Sequence, residues 1–217
     1  MRTRVKVCCI TSPEALELAL RHGADAVGLV GPMPSGTGII DLDQARALAA
    51  RTPPPVASFL LSCAVRAEDL VAEARQVAPT ALQIVDAVEP EVYAALRCHL
   101  PALKLVQVLH VTGEGSIDEA RRIGGLVDAL LLDSGAPQAP VRQLGGTGRV
   151  HDWSISRRIV ETAPVPVFLA GGLHPDNVAE AIRVVRPFGV DLCTGLRTAG
   201  RLDEGKLAAF MAAVGAS

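Results

Sequence analysis

The sequence predicts a single (β/α)8 barrel over residues 1–217, a closed ring of eight parallel strands each followed by a helix. Three observations carry this expectation. Short apolar runs alternate with amphipathic stretches along the whole chain. The hydrophobic residues, 49% of the chain, are mostly Ala, Val and Leu with 3% aromatics, which suits parallel strands buried on both faces. The turn after the first strand reads Cys9-Ile10-Thr11-Ser12, where an open nucleotide-binding sheet would carry a glycine-rich fingerprint. At 217 residues the chain meets the roughly 200–250 that such a barrel needs when its loops are short.

Strands are expected at 5–10, 25–30, 55–61, 80–85, 103–109, 127–132, 165–170 and 189–194. Helices are expected at 13–22, 41–51, 66–77, 89–98, 116–124, 152–162, 175–185 and 203–214. Ser12 followed by Pro13 is a helix start, because Pro at the first helical position gives up an N–H that has no partner there. Acids or Pro at Ile117-Asp118-Glu119 and His174-Pro175-Asp176-Asn177 mark two further starts. Consecutive parallel strands need crossovers, and each helix supplies one.

Composition excludes several function classes. A formal net charge of −2 without a run of like charges leaves no footprint for nucleic acid. No apolar run approaches the roughly 20 residues that span a bilayer, and Met1-Arg2-Thr3-Arg4 carries no secretory core, so a cytoplasmic location is expected. The five cysteines show no CxxC pair, and a disulfide framework is not expected. The five histidines lack ligand spacing, so no metal is expected.

In a barrel of this kind, chemistry sits at the C-terminal ends of the strands. Those ends offer Cys8, Asp133, Gly171-Gly172 and Asp191-Leu192-Cys193-Thr194-Gly195. Side chains alternate along a strand, so Lys6 and Cys8 share a face. A lysine does not belong against apolar helices, which points the Lys6/Cys8 face inward and leaves Cys9 packing outward. The Lys6 ammonium is expected to lower the thiol pKa of Cys8. Asp133 closes an apolar strand and precedes a long loop, so helix capping does not account for it. Asp191 interrupts the last strand, where it either pairs with Lys6 or contacts a ligand. Gly171-Gly172 and Thr194-Gly195 let backbone N–H groups approach an anion, as in the phosphate sites after strands seven and eight of such barrels.

These residues together resemble the phosphoribosylanthranilate isomerase family. The likeness runs from about Arg4 to about Met211 through Lys6-Val7-Cys8-Cys9-Ile10-Thr11, Gly23-Ala24-Asp25-Ala26-Val27-Gly28 and Leu130-Leu131-Leu132-Asp133. It continues through Gly145-Gly146-Thr147-Gly148 with Asp152-Trp153, Ala170-Gly171-Gly172-Leu173 with Pro175, Asn177 and Val178, and Gly189-Val190-Asp191. The resemblance implies a cofactor-free Amadori rearrangement with Asp133 as general acid and Cys8 as general base. It further implies that Asp191 contacts the anthranilate amine and that Gly171, Gly172, Thr194 and Gly195 hold the phosphate, with a phosphosugar as the small-molecule partner of a monomer or homodimer. The chain departs from the family pattern at Cys9 for glycine, at Pro34-Ser35-Gly36-Thr37-Gly38 without its arginine, at Val85 for histidine, and at Arg197 for an acid. Arg142 or Arg197 is expected to replace the missing cation. The alternatives are a paralogue acting on another phosphoribosylated amine and a barrel that binds phosphosugars without catalysis.

Overall fold

The structure, a computed structural model, describes residues 2–134 and 152–217. Eight parallel strands close into a barrel in sequence order: β1 (Arg4–Val7), β2 (Ala26–Val30), β3 (Ala57–Ser62), β4 (Ala81–Ile84), β5 (Lys104–His110), β6 (Ala129–Asp133), β7 (Val167–Leu169) and β8 (Gly189–Leu192). The ring closes where β1 pairs with β8, placing Lys6 opposite Asp191. Outside lie α1 (Pro13–Arg21), α2 (Leu42–Arg51), α3 (Ala67–Val77), α4 (Pro90–His99), α5 (Gly115–Gly124), α6 (Trp153–Thr162), α7 (Val178–Val185) and α8 (Glu204–Gly215). After β8 the chain adds a one-turn 3-10 helix, Thr194–Leu196, and a small hairpin of β9 (Arg197–Thr198) and β10 (Arg201–Leu202) that the sequence reading lacks.

Local chemistry starts the helices where expected. Ser12 accepts the Ala15 N–H at 3.2 Å, Asp41 the Gln44 N–H at 2.7 Å and Asp203 the Lys206 N–H at 3.0 Å, each satisfying a donor that the first turn leaves open. Asn177, by contrast, precedes α7 without a side-chain cap; its amide instead accepts from His174 N–H and donates to the Gly172 carbonyl, tying down the loop after β7.

The alternation of strand side chains produces two cores. Val5, Val7, Val27, Leu29, Leu130, Leu132 and Val190 join the apolar layer under the helices. Residues of the opposite parity, such as Cys8, Phe59, Val108, Leu131 and Phe168, fill the barrel itself. At the N-terminal end, Ala26, Ala57, Ala81 and Ala129 are too small to plug the barrel and leave a cavity of about 650 Å³ against Phe59, Phe168 and Phe188. At the other end the inward positions turn polar.

Two expectations fail at the end of β1. The strand stops at Val7, so alternation does not govern Cys9. Its φ of 62° is left-handed, and the side chain joins the barrel-filling core instead of packing outward. There Cys9 forms a disulfide with Cys193, with Cα atoms 5.9 Å apart. Sequence spacing hides this pair because 184 residues separate the two, whereas closure of the barrel makes β1 and β8 neighbours.

Candidate active site

Lys6 is fully buried, an arrangement that only a charge partner makes tolerable. Asp191 supplies it, with Oδ2 at 2.9 Å from Nζ, and the Phe59 ring lies 5.5 Å from the same ammonium. Burial alone would draw the lysine pKa down; Asp191, with help from the Cys8 thiolate, outweighs it and leaves the ammonium above its ordinary value.

Cys8 lies just beyond the end of β1, 5% exposed, with its N–H donating to the Leu192 carbonyl at 2.9 Å. The expected lowering of its pKa does not hold. Burial pushes the thiol up, and Lys6 offsets only part of that cost. Room for the thiol comes from Gly28 on β2. A Cβ there would stand 2.6 Å from Cys8 Sγ and 3.1 Å from Lys6 Nζ. Gly28 is thus a site residue that the sequence reading used only as a family match.

Asp133 ends β6 on the inward face, 8% exposed, and its Oδ1 accepts the Ser134 N–H at 2.7 Å. Burial is the main cause of a pKa pushed up to about 6; the Ser134 hydrogen bond opposes it, Asp191 adds to it and Lys6 opposes it. A carboxyl at that value is partly protonated near neutrality and can give a proton as well as take one.

The glycine loops meet. Gly171 and Gly172 adopt φ of 82° and 66°, conformations that side chains rarely take, and a Cβ on Gly171 would strike Ser134. Gly195, in the one-turn helix with Thr194, passes so close to the Leu173 carbonyl that no side chain fits between them.

Of the two candidate cations, Arg142 lies outside the described residues. Arg197 lies at the start of β9 and donates to the carbonyls of Cys193 (2.6 Å), Cys8 (3.0 Å) and Cys9 (2.5 Å), bridging the same strand ends that the disulfide joins.

Unspent polar capacity marks the mouth. Among the described residues, Asp191 Oδ1, Gln83 Oε1 and both ring nitrogens of His110 are buried without a hydrogen-bond partner. These three residues, like Lys6 on β1, have inward parity, on β8, β4 and β5. Leaving such groups unpaired costs about 1–3 kcal/mol each, and a polar ligand would recover it. Gln83 and His110 were not among the expected site residues. Strand parity is the signal that finds them, since each is polar at an inward position of an apolar strand. Among the described residues no cluster of His, Cys, Asp and Glu is arranged to hold a metal, and no helix is long and apolar enough to cross a membrane.

A closed parallel barrel whose mouth brings together a buried acid, a thiol beside an ammonium and two touching glycine loops defines the class of (β/α)8-barrel proteins with a site for a small polar ligand. Comparison with known proteins narrows the class. The profile of the N-(5'-phosphoribosyl)anthranilate isomerase family matches residues 5–213, and the chain belongs to that family. A relative from Methanocella arvoryzae named N-(5'-phosphoribosyl)anthranilate isomerase is 37% identical over 205 residues, 94% of each chain. The phosphoribosyl anthranilate isomerase of Thermus thermophilus superposes with a TM-score of 0.83 at 26% identity over 99% of both chains. A further isomerase structure, in complex with reduced 1-(o-carboxyphenylamino)-1-deoxyribulose 5-phosphate, gives 0.80 at 27% identity, covering 99% of this chain and 100% of that one.

Proposed function

We propose that this chain isomerises N-(5-phosphoribosyl)anthranilate to 1-(2-carboxyphenylamino)-1-deoxyribulose 5-phosphate by acid–base chemistry, with Asp133 as the acid and Cys8 as the base. The observation that carries this reading is the pairing of a carboxyl held near 6 with a thiol set against a buried ammonium, on strands three apart around one mouth. Asp133 gives its proton to the furanose ring oxygen, the C1–O bond breaks, and the nitrogen lone pair forms a Schiff base. The Cys8 thiolate, stabilised by Lys6, removes the C2 proton to leave an enolamine. Loss of the C2 hydroxyl proton and gain of one at C1 complete the ketone, so no redox partner is needed.

Lys6 and Asp191 contact the substrate through the ammonium N–H groups that do not face Asp191 and through Asp191 Oδ1, the oxygen outside the ion pair. The backbone at Gly171, Gly172, Thr194 and Gly195 takes the phosphate. Arg197 is left out of these contacts because three carbonyls occupy its guanidinium, and Arg142 is the cation that remains for substrate. The chain works in the cytoplasm as a monomer or homodimer, on a small phosphosugar and without nucleic acid or membrane. Loss of anthranilate fluorescence on adding the protein to freshly prepared phosphoribosylanthranilate tests the reading. Fluorescence that stays constant beyond the spontaneous decay of substrate overturns it.

A further inference from the structure

We propose that His110 determines specificity for the aglycone, its imidazole N–H donating a hydrogen bond to the aryl carboxylate beside the amine. This rests on the isomerase reading above and assigns a residue to the end of the substrate that the acid, the base and the phosphate loops do not hold.

Three observations point to His110. Its ring nitrogens are both buried without a hydrogen-bond partner, and among the described residues no other side chain has two such buried atoms. Its position is inward at the C-terminal end of β5, in register with Asp133 on β6. Going round the mouth from the phosphate loops at β8 and β7, Asp133 comes next and His110 follows it. A substrate with its phosphate at β7 and β8 and its ring oxygen at Asp133 therefore presents its aglycone toward β5. On that side Leu61, Val85 and Val108 are apolar and offer a carboxylate no donor, and Gln83, one strand further on β4, is the other inward polar side chain. Burial draws the His110 imidazole below its ordinary pKa, with Asp86 pulling the other way, so near neutrality it is an uncharged ring with one N–H to give. A site built to hydrogen-bond a substrate group discriminates strongly against an analogue that lacks it.

The test compares kcat/KM for N-(5-phosphoribosyl)anthranilate and N-(5-phosphoribosyl)aniline, which lacks the carboxylate, in the wild-type protein, His110→Ala and His110→Gln. The expected result is a preference of the wild type for the carboxylated substrate. His110→Ala lowers its kcat/KM by about 10–100-fold, the value of one hydrogen bond to a charged group, while the aniline substrate changes less than twofold. His110→Gln, which keeps an N–H donor, retains part of the preference. Should His110→Ala not fold by circular dichroism, His110→Asn replaces it with the same expected direction. Equal losses on both substrates, or an undiminished preference in the variants, overturn the assignment while leaving the isomerase reading intact. A wild type that turns over neither substrate overturns that reading itself.

Discussion

Lys6 Nζ lies 2.9 Å from Asp191 Oδ2 inside the barrel, on residues that face each other across the β1–β8 seam. Both side chains are buried, and neither has another opposite charge among the described ion pairs. Lys6→Met leaves a buried carboxylate without its cation and is expected to destabilise the protein by about 3–5 kcal/mol in urea unfolding. The double variant Lys6→Met/Asp191→Leu is expected to recover most of that loss, because the cost lies in the uncompensated charge. A single variant as stable as wild type contradicts the pairing.

The acid and the base give the pH–rate profile two limbs. Asp133 must be protonated and Cys8 ionised in the reacting form, yet burial sets the acid near 6 and the thiol above its usual ~8.5. The working form is thus the minor arrangement of one shared proton, and kcat/KM is expected to form a bell. Its acidic limb falls near pH 6 and its basic limb lies above pH ~8.5. A plot of kcat/KM that declines steadily from pH 6 to 8 contradicts this assignment.

Asp133 also couples stability to pH. Its folded value of about 6 exceeds the ordinary 3.8, so its contribution is fully present below the ordinary value and is lost as pH rises through 6. Two units amount to about 3 kcal/mol. Asp133→Asn keeps an acceptor for Ser134 N–H and cannot ionise, so it should exceed wild type in stability at pH 8 by up to ~3 kcal/mol. Calorimetry should find that advantage gone near pH 4; an advantage of equal size at both pH values contradicts the account.

Gly28→Ala adds one carbon where Cys8 Sγ would be 2.6 Å away. The thiol and the Lys6 ammonium must both shift, so turnover is expected to fall about 10²-fold, since misplacement of a reacting group by about 1 Å costs that much. Wild-type turnover in a folded Gly28→Ala protein removes Gly28 from the site.

Reduction of Cys9–Cys193 with a phosphine removes a link that closes most of the chain into one loop. Thermal unfolding is expected to show a loss of about 2–5 kcal/mol, the range for a native disulfide. Arg197 still holds the two strand ends through three carbonyls, so Arg197→Met should cost more in the reduced protein than in the oxidised one. Equal costs in both states contradict a shared role.

How much of this was legible in the sequence depended on what each residue's neighbours are. The barrel, its eight repeats and the inward face of Lys6 and Cys8 follow from local pattern, and the structure keeps them. The end of β1 does not follow. Reading it to residue 10 sent Cys9 outward, whereas the strand ends at Val7 and a left-handed turn brings the thiol back to Cys193. The thiol pKa went astray for a related reason: proximity to Lys6 is readable from parity, but the depth of burial that outweighs it is not. His110 and Gln83 were visible as polar residues in apolar strands, yet their lack of partners is a property of packing alone.

The central claim is that Cys8 and Asp133 carry the proton transfers. The most direct test measures turnover of phosphoribosylanthranilate by wild type, Cys8→Ala and Asp133→Asn in one fluorescence assay with matched folded protein. The account predicts that each variant falls by about 10²-fold or more, the usual worth of an acid or base in the transition state. Near-wild-type turnover in either variant contradicts it.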